Sequence, residues 1–126
     1  MRVLVVDDNE DARCVLDMLF THFGATVALA ESGEEALGAF HRTRPHVVVT
    51  DIAMPHWSGY RLLRAIRAPR RNQGGRTPVA AVTAFRDIHH EARVLRAGFD
   101  AWLTKPVDTR HLVSVVDRLV RGTRER

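Results

Sequence analysis

The segment Val47-Val48-Val49-Thr50-Asp51 decides how this sequence is interpreted. Its first four residues are all β-branched, the run stops at a carboxylate, and Met54-Pro55 follows soon after. This pattern predicts a buried strand that carries Asp51 out of its C-terminal end into a loop. In open parallel α/β sheets the edge formed by the strand C-termini is where functional sites lie, so Asp51 is the first candidate for a functional residue.

Three further strand-like runs end in polar or charged residues in the same way. Asp7-Asp8 follows residues 3–6, Thr83 follows residues 79–82, and Lys105-Pro106 follows residues 101–104. If these strands are parallel neighbours of residues 47–51, three carboxylates, a hydroxyl group and an ammonium group meet at one edge of the sheet.

Helical periodicity alternates with the strands along the whole chain. We predict strands at residues 2–6, 25–30, 47–50, 79–82 and 101–103, and helices at residues 10–23, 33–42, 57–68, 87–97 and from 109 onward. The candidate N-caps are Asp8 or Asn9, Ser32 and Asp108. A strand–helix unit repeated five times predicts an α/β fold, with a doubly wound, five-stranded parallel sheet and helices on both faces. At 126 residues the chain fits one domain, expected at residues 1–121, followed by a polar tail at residues 122–126 that is expected to fray.

Helical spacing also assigns a face to individual side chains. In the first helix, Val15 and Phe23 belong to the apolar stripe, and Cys14, the single cysteine, is expected to be a core thiol. Two groups of basic residues are expected on solvent-facing sides: Arg61, Arg64 and Arg67 in the third helix, and His89 and His90 in the fourth. The loop at residues 69–78 is rich in Arg, Gly and Pro and is expected to be mobile.

The composition argues against several classes of protein. The hydrophobic fraction of 45% and the charged fraction of 27% are ordinary for a soluble globular domain. No apolar run approaches the roughly 20 residues that a membrane-spanning helix needs, and no secretory signal precedes the first strand, so we expect a cytoplasmic protein without membrane contact. The net charge of +4 comes from arginines spread over several segments without aromatic interleaving, so direct nucleic-acid binding is not expected.

Lys105 is the only lysine among nineteen basic residues. An ammonium group is a compact, strongly hydrated point charge that a planar guanidinium group does not replace, so a lysine kept in an arginine-rich chain is informative. A cluster of Asp7, Asp8 and Asp51 needs a cation, because carboxylates a few ångströms apart repel and one of them otherwise takes up a proton. Oxygen ligands without a Cys/His set also fit Mg²⁺.

A carboxylate nucleophile beside Mg²⁺, an ammonium group and a hydroxyl group is suited to forming an aspartyl phosphate. The metal and Lys105 would neutralise charge on the transferring phosphoryl group. Simpler roles stay open at this point. The aspartates can cap helices or turns, Lys105 can be solvated before a proline turn, and Thr83 can be an ordinary strand end.

Several short motifs stand in a fixed order along the chain. They are Asp7-Asp8, Asp51-Ile52-Ala53-Met54-Pro55 with Gly59, Thr83-Ala84, and Gly98-Phe99-Asp100-Ala101-Trp102-Leu103-Thr104-Lys105-Pro106. Through these motifs the whole chain resembles the receiver domain of bacterial two-component response regulators. The resemblance implies a flavodoxin-like sheet with the strand order 2-1-3-4-5.

The resemblance implies a role for each of these residues. Asp51 would be the phosphoacceptor and would take its phosphoryl group from a histidine kinase or a histidine phosphotransfer protein. Mg²⁺ would be the cofactor, held by Asp7 (partly through water), Asp8, Asp51 and the backbone carbonyl of Ala53. The phosphoryl group would be bound by Ala53, Thr83, Ala84 and Lys105. Two overlapping groups would act in the reaction: Asp51, Thr83 and Lys105 in catalysis, and Thr83 and Trp102 in the conformational switch.

Such a domain signals and does not turn over a substrate, since it catalyses only its own phosphorylation and dephosphorylation. The resemblance implies an unidentified output partner, with the face made by the fourth helix, the fifth strand and the fifth helix as the candidate surface, and it allows a homodimer. The chain departs from the family in three places. Ala53 lacks the polar side chain of many relatives, Trp102 is bulkier than the usual aromatic residue, and His56-Trp57 replaces an apolar–acidic pair.

Three alternative interpretations remain. The stretch from Gly98 to Asp108 resembles receivers attached to hybrid histidine kinases, so the chain can be a fragment of such a kinase. A Mg²⁺-dependent phosphohydrolase with an aspartate nucleophile would carry an Asp-x-Asp pattern after the first strand, whereas Asp7 and Asp8 are adjacent. A pure interaction module would have no need for the acidic residues and Lys105.

Overall fold

The computed structural model describes residues 1–68, 75–84 and 91–124 of the chain. Its strands are β1 (Arg2–Val6), β2 (Thr26–Ala30), β3 (Val47–Asp51), β4 (Val79–Thr83) and β5 (Ala101–Thr104). Its helices are α1 (Glu10–His22), α2 (Gly33–Thr43), α3 (Gly59–Arg67), α4 (Glu91–Arg96) and α5 (Thr109–Arg124). The strands are parallel and lie in the order β2-β1-β3-β4-β5, so the expected α/β fold and its flavodoxin-like strand order are confirmed.

The helices cover both faces of the sheet and give two hydrophobic layers. Side chains alternate between the two faces along each strand. Val48 therefore lies in the layer with α2, α3 and α4, whereas Val49 lies in the layer with α1 and α5. β3 and β4 are buried along their full lengths, as expected for the centre of a parallel sheet covered on both sides.

The register of the central strands aligns their C-terminal ends. Val6 at the end of β1 is paired with Thr50, and Asp51 at the end of β3 is paired with Val82. The end of β5 is paired with the end of β4 in the same way. The residues that follow these strands therefore emerge from one edge of the sheet.

Side-chain caps fix where helices begin. Asn9 accepts a hydrogen bond from the N–H of Ala12 at 2.9 Å and caps α1, and Ser32 accepts one from Glu35 at 3.2 Å and caps α2. Asp108 accepts hydrogen bonds from N–H groups in the first turn of α5, at 3.0 and 3.2 Å. These caps confirm the candidates predicted from the sequence. Of the two candidates at α1, the cap is Asn9 and not Asp8.

The outer flank of α1 differs from the prediction. Cys14 is exposed and is not a core thiol, and Val15 and Phe23 are 55% and 61% exposed. α1 buries Leu16 and Phe20, one turn apart on a single stripe. Consecutive residues of a helix are turned by about 100°, so the residue next to Leu16 points away from the sheet and the predicted apolar stripe was too wide.

Arg67, at the end of α3, is half-buried and does not lie on the solvent side as predicted. Its guanidinium group donates to the carbonyl oxygens of Thr77 at 2.6 Å and Gly75 at 3.2 Å, and it pairs with the carboxylate of Asp100 at 2.9 Å. Asp100 in turn accepts a hydrogen bond from the N–H of Val79 at 2.8 Å. The long side chain turns back because carbonyl groups ahead of β4 lie outside the sheet and need donors.

The start of α3 also differs from the prediction. The helix begins at Gly59, two residues later than expected, because Ser58 is its N-cap and accepts a hydrogen bond from the N–H of Arg61 at 3.3 Å. Arg61 and Arg64 are exposed, as predicted.

Other predictions fall partly outside the described residues. The expected start of the fourth helix, with His89 and His90, lies outside them, and so do residues 69–74 of the predicted loop. α5 continues to Arg124 into the segment expected to be a frayed tail, and the domain boundary at residue 121 stays a prediction. In the part of the chain that the structure describes, no helix is both long and apolar enough to cross a lipid bilayer.

We predict that Arg67→Ala destabilises the domain by about 2–3 kcal/mol, because hydrogen bonds to charged groups are each worth about 1.5–3 kcal/mol and their acceptors would be left without a donor. Urea unfolding followed by circular dichroism measures the change. Arg64→Ala, an exposed position on the same helix, is the matched control and should lie within about 0.5 kcal/mol of the wild type. Equal stability of the two variants would contradict this role for Arg67.

Candidate functional site

Carboxylates from the ends of β1 and β3 meet at the C-terminal edge of the sheet. Asp7 and Asp8 follow β1, Asp51 is the last residue of β3, and side-chain oxygen atoms of the three lie within 4.8 Å of one another. Asp7 and Asp51 are only 2% and 7% exposed, whereas Asp8 is exposed. We call these three residues the acid cluster. The structure thus brings together the carboxylates that the sequence places at this edge.

The ammonium group of Lys105 lies between the two buried carboxylates of the acid cluster. Its Nζ is 2.8 Å from Oδ2 of Asp7 and 3.3 Å from Oδ2 of Asp51. The backbone N–H of Lys105 donates to the carbonyl oxygen of Thr83 at 2.8 Å, which ties the residue to the end of β4. The peptide bond between Lys105 and Pro106 is cis.

Each buried carboxylate is also held by a backbone N–H group. Oδ1 of Asp7 accepts a hydrogen bond from Asn9 at 2.9 Å, and Oδ1 of Asp51 accepts one from Ala53 at 3.1 Å. One oxygen of each carboxylate therefore bonds to the backbone while the other faces Lys105. This arrangement fixes the orientation of both carboxylates and leaves Asp8 outside the hydrogen-bonded set.

The loop between β3 and α3, residues 52–58, is packed tightly against the end of β3. The N–H of Gly59 donates to the carbonyl oxygen of Ile52 at 2.8 Å and closes the loop. A β-carbon at Gly59 would lie 2.5 Å from the carbonyl oxygen of Asp51 and 2.8 Å from Cα of Ile52, so only glycine fits there. This close approach keeps Ala53 beside Asp51.

The electrostatics of the site are set by burial. Burial raises the pKa of the Asp51 carboxyl group, the positive charge of Lys105 offsets only part of this effect, and the negative charge of Asp7 adds to it. Burial alone would lower the pKa of Lys105, but the hydrogen bond to Asp7 and the charges of both carboxylates outweigh it, so the pKa of Lys105 is raised. The pocket therefore keeps Lys105 charged, and it carries excess negative charge that a further cation would relieve.

The donor atoms of the acid cluster fit Mg²⁺. All of them are carboxylate oxygens, which Mg²⁺ prefers, and the exposure of Asp8 leaves room for the waters that the ion retains. Opposite ligands of an octahedral Mg²⁺ site are about 4.2 Å apart, since each bond is about 2.1 Å long. The cluster oxygens all lie within 4.8 Å of one another, a limit slightly above that span.

The remaining predicted site residues are Thr83, Ala84 and Trp102. Thr83 ends β4 with its side chain buried, and Ala84 after it is exposed. Among residues 1–68, 75–84 and 91–124, no hydrogen bond joins the Thr83 hydroxyl group to the acid cluster. Trp102 is half-buried in β5, and its Nε1 is buried without a hydrogen-bond acceptor in the same described ranges.

Arg13 also contacts the site and is not among the residues predicted from the sequence. Its guanidinium group donates to the carbonyl oxygen of Asp7 at 2.7 Å and lies 3.7 Å from the carboxylate of Glu31. The available signal was its place near the start of α1, the helix that begins at the edge where the acid cluster lies.

The chain matches a known protein family and curated relatives. Residues 3–117 match the family described as the response regulator receiver domain. An uncharacterised 14.6 kDa protein from the sodA1 3′ region of Leptolyngbya boryana is 36% identical over 118 residues, covering 94% of this chain and 88% of that protein. The Regulator of RpoS of Escherichia coli (strain K12) is 38% identical over 106 residues, covering 84% of this chain but only 30% of that protein.

Solved structures share the fold along almost the whole chain. The receiver domain of the Francisella response regulator 1452 superimposes with a TM-score of 0.85 at 30% identity, covering 97% of this chain and 98% of that one. The receiver domain of the sensor histidine kinase PA1611 from Pseudomonas aeruginosa PAO1 has a magnesium ion coordinated in its active-site cleft. It superimposes with a TM-score of 0.84 at 28% identity, covering 94% of this chain and 96% of that one. With a family match that runs from the first strand into the last helix, this chain belongs to the response regulator receiver domains, the signalling domains of two-component systems.

Proposed function

We propose that this receiver domain accepts a phosphoryl group on Asp51, in a Mg²⁺-dependent reaction, from a histidine kinase or a histidine phosphotransfer protein. A carboxylate oxygen of Asp51 attacks the phosphorus atom, the bond from phosphorus to the histidine nitrogen breaks, and an acyl phosphate forms. The imidazole leaves with the electron pair of that bond and takes up a proton from solvent. The observation that carries this proposal is the Lys105 ammonium group held 3.3 Å from Oδ2 of Asp51.

The geometry favours Asp51 over Asp7 as the acceptor. Asp7 is the more buried of the two, and its oxygens are engaged by Asn9 at 2.9 Å and by Lys105 at 2.8 Å. The contact from Lys105 to Asp51 is longer, at 3.3 Å, and burial raises the pKa of Asp51, which makes its carboxylate a better nucleophile. Asp7 is better suited to holding Lys105 in place.

Mg²⁺ would be held by Asp8, Asp51 and the backbone carbonyl of Ala53, with Asp7 reaching it partly through water. When bound, the ion neutralises charge on the transferring phosphoryl group. The oxygen-only donor set of the acid cluster supports this proposal, and so does the magnesium ion in the cleft of the PA1611 receiver domain. Asp8 and Ala53 are exposed, so the open side of the pocket is the side that a phosphodonor can approach.

The phosphoryl oxygens would be bound by Ala53, Thr83, Ala84 and Lys105. Lys105 already contacts Asp51, so it needs only a small movement. Thr83 and Trp102 would form the switch that changes the conformation of the domain. The buried Nε1 of Trp102, without an acceptor among the residues described, supports a second position of this ring, since an unsatisfied buried donor is unfavourable.

The domain would act as a switch that catalyses only its own phosphorylation and dephosphorylation. We place it in the bacterial cytoplasm and assign the face made by α4, β5 and α5 to an output partner or to a second copy of the chain. The second candidate is a receiver segment of a hybrid histidine kinase. It is supported by the receiver domain of a sensor histidine kinase, whose structure superimposes on 94% of this chain.

Asp51→Asn is expected to lose phosphorylation by a small phosphodonor in the presence of Mg²⁺, by at least about a hundredfold, because the nucleophile is removed. Intact-mass spectrometry measures the phosphorylated fraction. Asp11→Asn, at an exposed position in the first turn of α1, is the control and should label like the wild type. Labelling of Asp51→Asn at the wild-type rate would remove Asp51 from its proposed role.

Lys105→Arg is expected to keep the charge but to impair the switch, because a planar guanidinium group cannot occupy the position of the compact ammonium between Asp7 and Asp51. The change in tryptophan fluorescence on phosphorylation should fall below about half of the wild-type change. Arg42→Lys, an exchange of the same two residue types on the exposed face of α2, should leave it unchanged. A full response in Lys105→Arg would show that any cation suffices.

Asp51→Asn is also expected to raise the stability of the metal-free protein at pH 7. The pKa of Asp51 is raised in the folded state, so the folded protein holds this proton more tightly than the unfolded chain does. The charged form therefore lowers stability above the folded pKa, and this loss disappears as the pH falls toward the unfolded value of about 3.9.

Thermal unfolding in EDTA at pH 7 and pH 4 measures this effect. The gain in Tm of Asp51→Asn over the wild type should be a few degrees at pH 7 and should shrink at pH 4. Addition of Mg²⁺ should stabilise the wild type more than the variant, because a ligand stabilises the state that binds it. Asp11→Asn should show no gain, and equal Tm values of Asp51→Asn and the wild type at pH 7 would contradict the electrostatic account.

A further inference from the structure

Trp57, in the loop between β3 and α3, packs against Gly33, the first residue of α2. A β-carbon at Gly33 would overlap Cβ of Trp57 and would lie 2.8 and 2.9 Å from its ring atoms Cε3 and Cγ. Cβ of Trp57 is bonded directly to its backbone, so rotation of the ring cannot relieve the overlap. Any side chain at Gly33 would therefore have to displace the loop itself.

Arg61 also holds the ring of Trp57. Its guanidinium carbon lies over the ring, 4.1 Å from the centroid, within the range of a cation–π interaction. Trp57 thus contacts both α2, through Gly33, and α3, through Arg61. Two helices fix the position of this one side chain in the loop.

Backbone hydrogen bonds hold the loop between the end of β3 and Trp57. The N–H of Trp57 donates to Pro55 at 2.7 Å, and the N–H of Met54 donates to Ile52 at 3.2 Å. The N–H of Gly59 donates to the same carbonyl oxygen of Ile52 at 2.8 Å. These hydrogen bonds restrict the loop backbone, so a displacement of Trp57 also shifts the backbone beside the acid cluster.

The backbone of His56 supports this view of the loop. Its φ of 67° lies in the left-handed region, which residues other than glycine adopt uncommonly and which is kept where the surrounding packing dictates it. Ala53, three residues earlier in the same loop, donates its N–H to Oδ1 of Asp51 at 3.1 Å. The position of this hydrogen bond therefore depends on what holds the loop.

We propose that Trp57, seated on Gly33, is a positioning residue for the acid cluster. It holds residues 52–56 so that the N–H of Ala53 stays on Asp51 and the carbonyl group of Ala53 keeps its place at the pocket. The inference rests on the proposed function, because it concerns Mg²⁺ binding at that pocket. The close contact between Gly33, the first residue of α2, and Trp57 would thus keep the loop in the position that Mg²⁺ binding needs.

The test is the Mg²⁺ affinity of Gly33→Ala, measured by isothermal titration calorimetry. We expect binding to weaken about tenfold, since changes behind the direct ligands of a metal cost about 10–100-fold in affinity. Gly38→Ala on the same helix is the matched control, because a β-carbon there meets nothing within 4 Å. Its Mg²⁺ affinity should equal that of the wild type.

Variants of Trp57 test the same contact from the other side. Trp57→Gly should weaken Mg²⁺ binding about as much as Gly33→Ala, and the double variant should be no weaker than Trp57→Gly, because the overlap with Ala at position 33 is gone. Trp57→Phe keeps Cβ and an aromatic ring and should bind Mg²⁺ close to the wild type. If Gly33→Ala does not fold, the pair Trp57→Phe and Trp57→Gly decides, and equal affinities of that pair would overturn the proposal.

A contact that only supports the fold would give a different result. It would lower the urea midpoint of Gly33→Ala but leave the Mg²⁺ affinity of the folded variant and the amide NMR signal of Ala53 unchanged, and that outcome overturns the proposal. The Asp51→Asn variant separates this failure from failure of the proposed function. Mg²⁺ binding that is lost in Asp51→Asn but intact in Gly33→Ala overturns the positioning role alone, whereas binding that is unchanged in Asp51→Asn overturns the proposed site and the positioning role with it.

Discussion

The ion pair between Lys105 and the buried carboxylates of Asp7 and Asp51 is the interaction on which the pocket depends. Parallel pairing of β1 with β3 places these two carboxylates side by side with little water around them, where they repel. The lysine arrives from β5, which is separated from β3 by β4, and its flexible stem spans that distance. A buried charge without a partner is strongly destabilising. The two buried carboxylates therefore depend on the strand order that brings Lys105 to them.

The two ends of the sheet handle polar groups differently. At the N-terminal end, Arg67 bonds to carbonyl groups and to Asp100, and Asp100 bonds to Val79, so donors and acceptors match one another. At the C-terminal end, Lys105 faces two carboxylates and a third lies within 4.8 Å of them, so acceptors are in excess. The first arrangement is complete in itself and stabilises the fold. The second one has an excess of negative charge, which supports the proposed Mg²⁺ site.

Two glycines let the loop after β3 approach its neighbours closely. Gly59 leaves room for the backbone of Asp51 and Ile52, and Gly33 leaves room for Trp57. Gly59 belongs to a motif that is recognisable in the sequence, because its distance from Asp51 along the chain is short and fixed. Gly33 is recognisable only as the residue after the N-cap of α2, since the residue that it accommodates is far away in the sequence.

The sequence by itself determined the alternation of strands and helices, the caps of α1, α2 and α5, and the residues that end each strand. These features follow from local periodicity and from the rule that the C-terminal ends of parallel strands share one edge, while the order of the strands came from the family resemblance. Only the tertiary structure decided that Cys14 and Val15 face solvent, that Arg67 turns inward and that Trp57 lies on Gly33. The physical reason is that each of these depends on which distant segment covers a helix face or receives a loop, and periodicity within one segment carries no information about its neighbours.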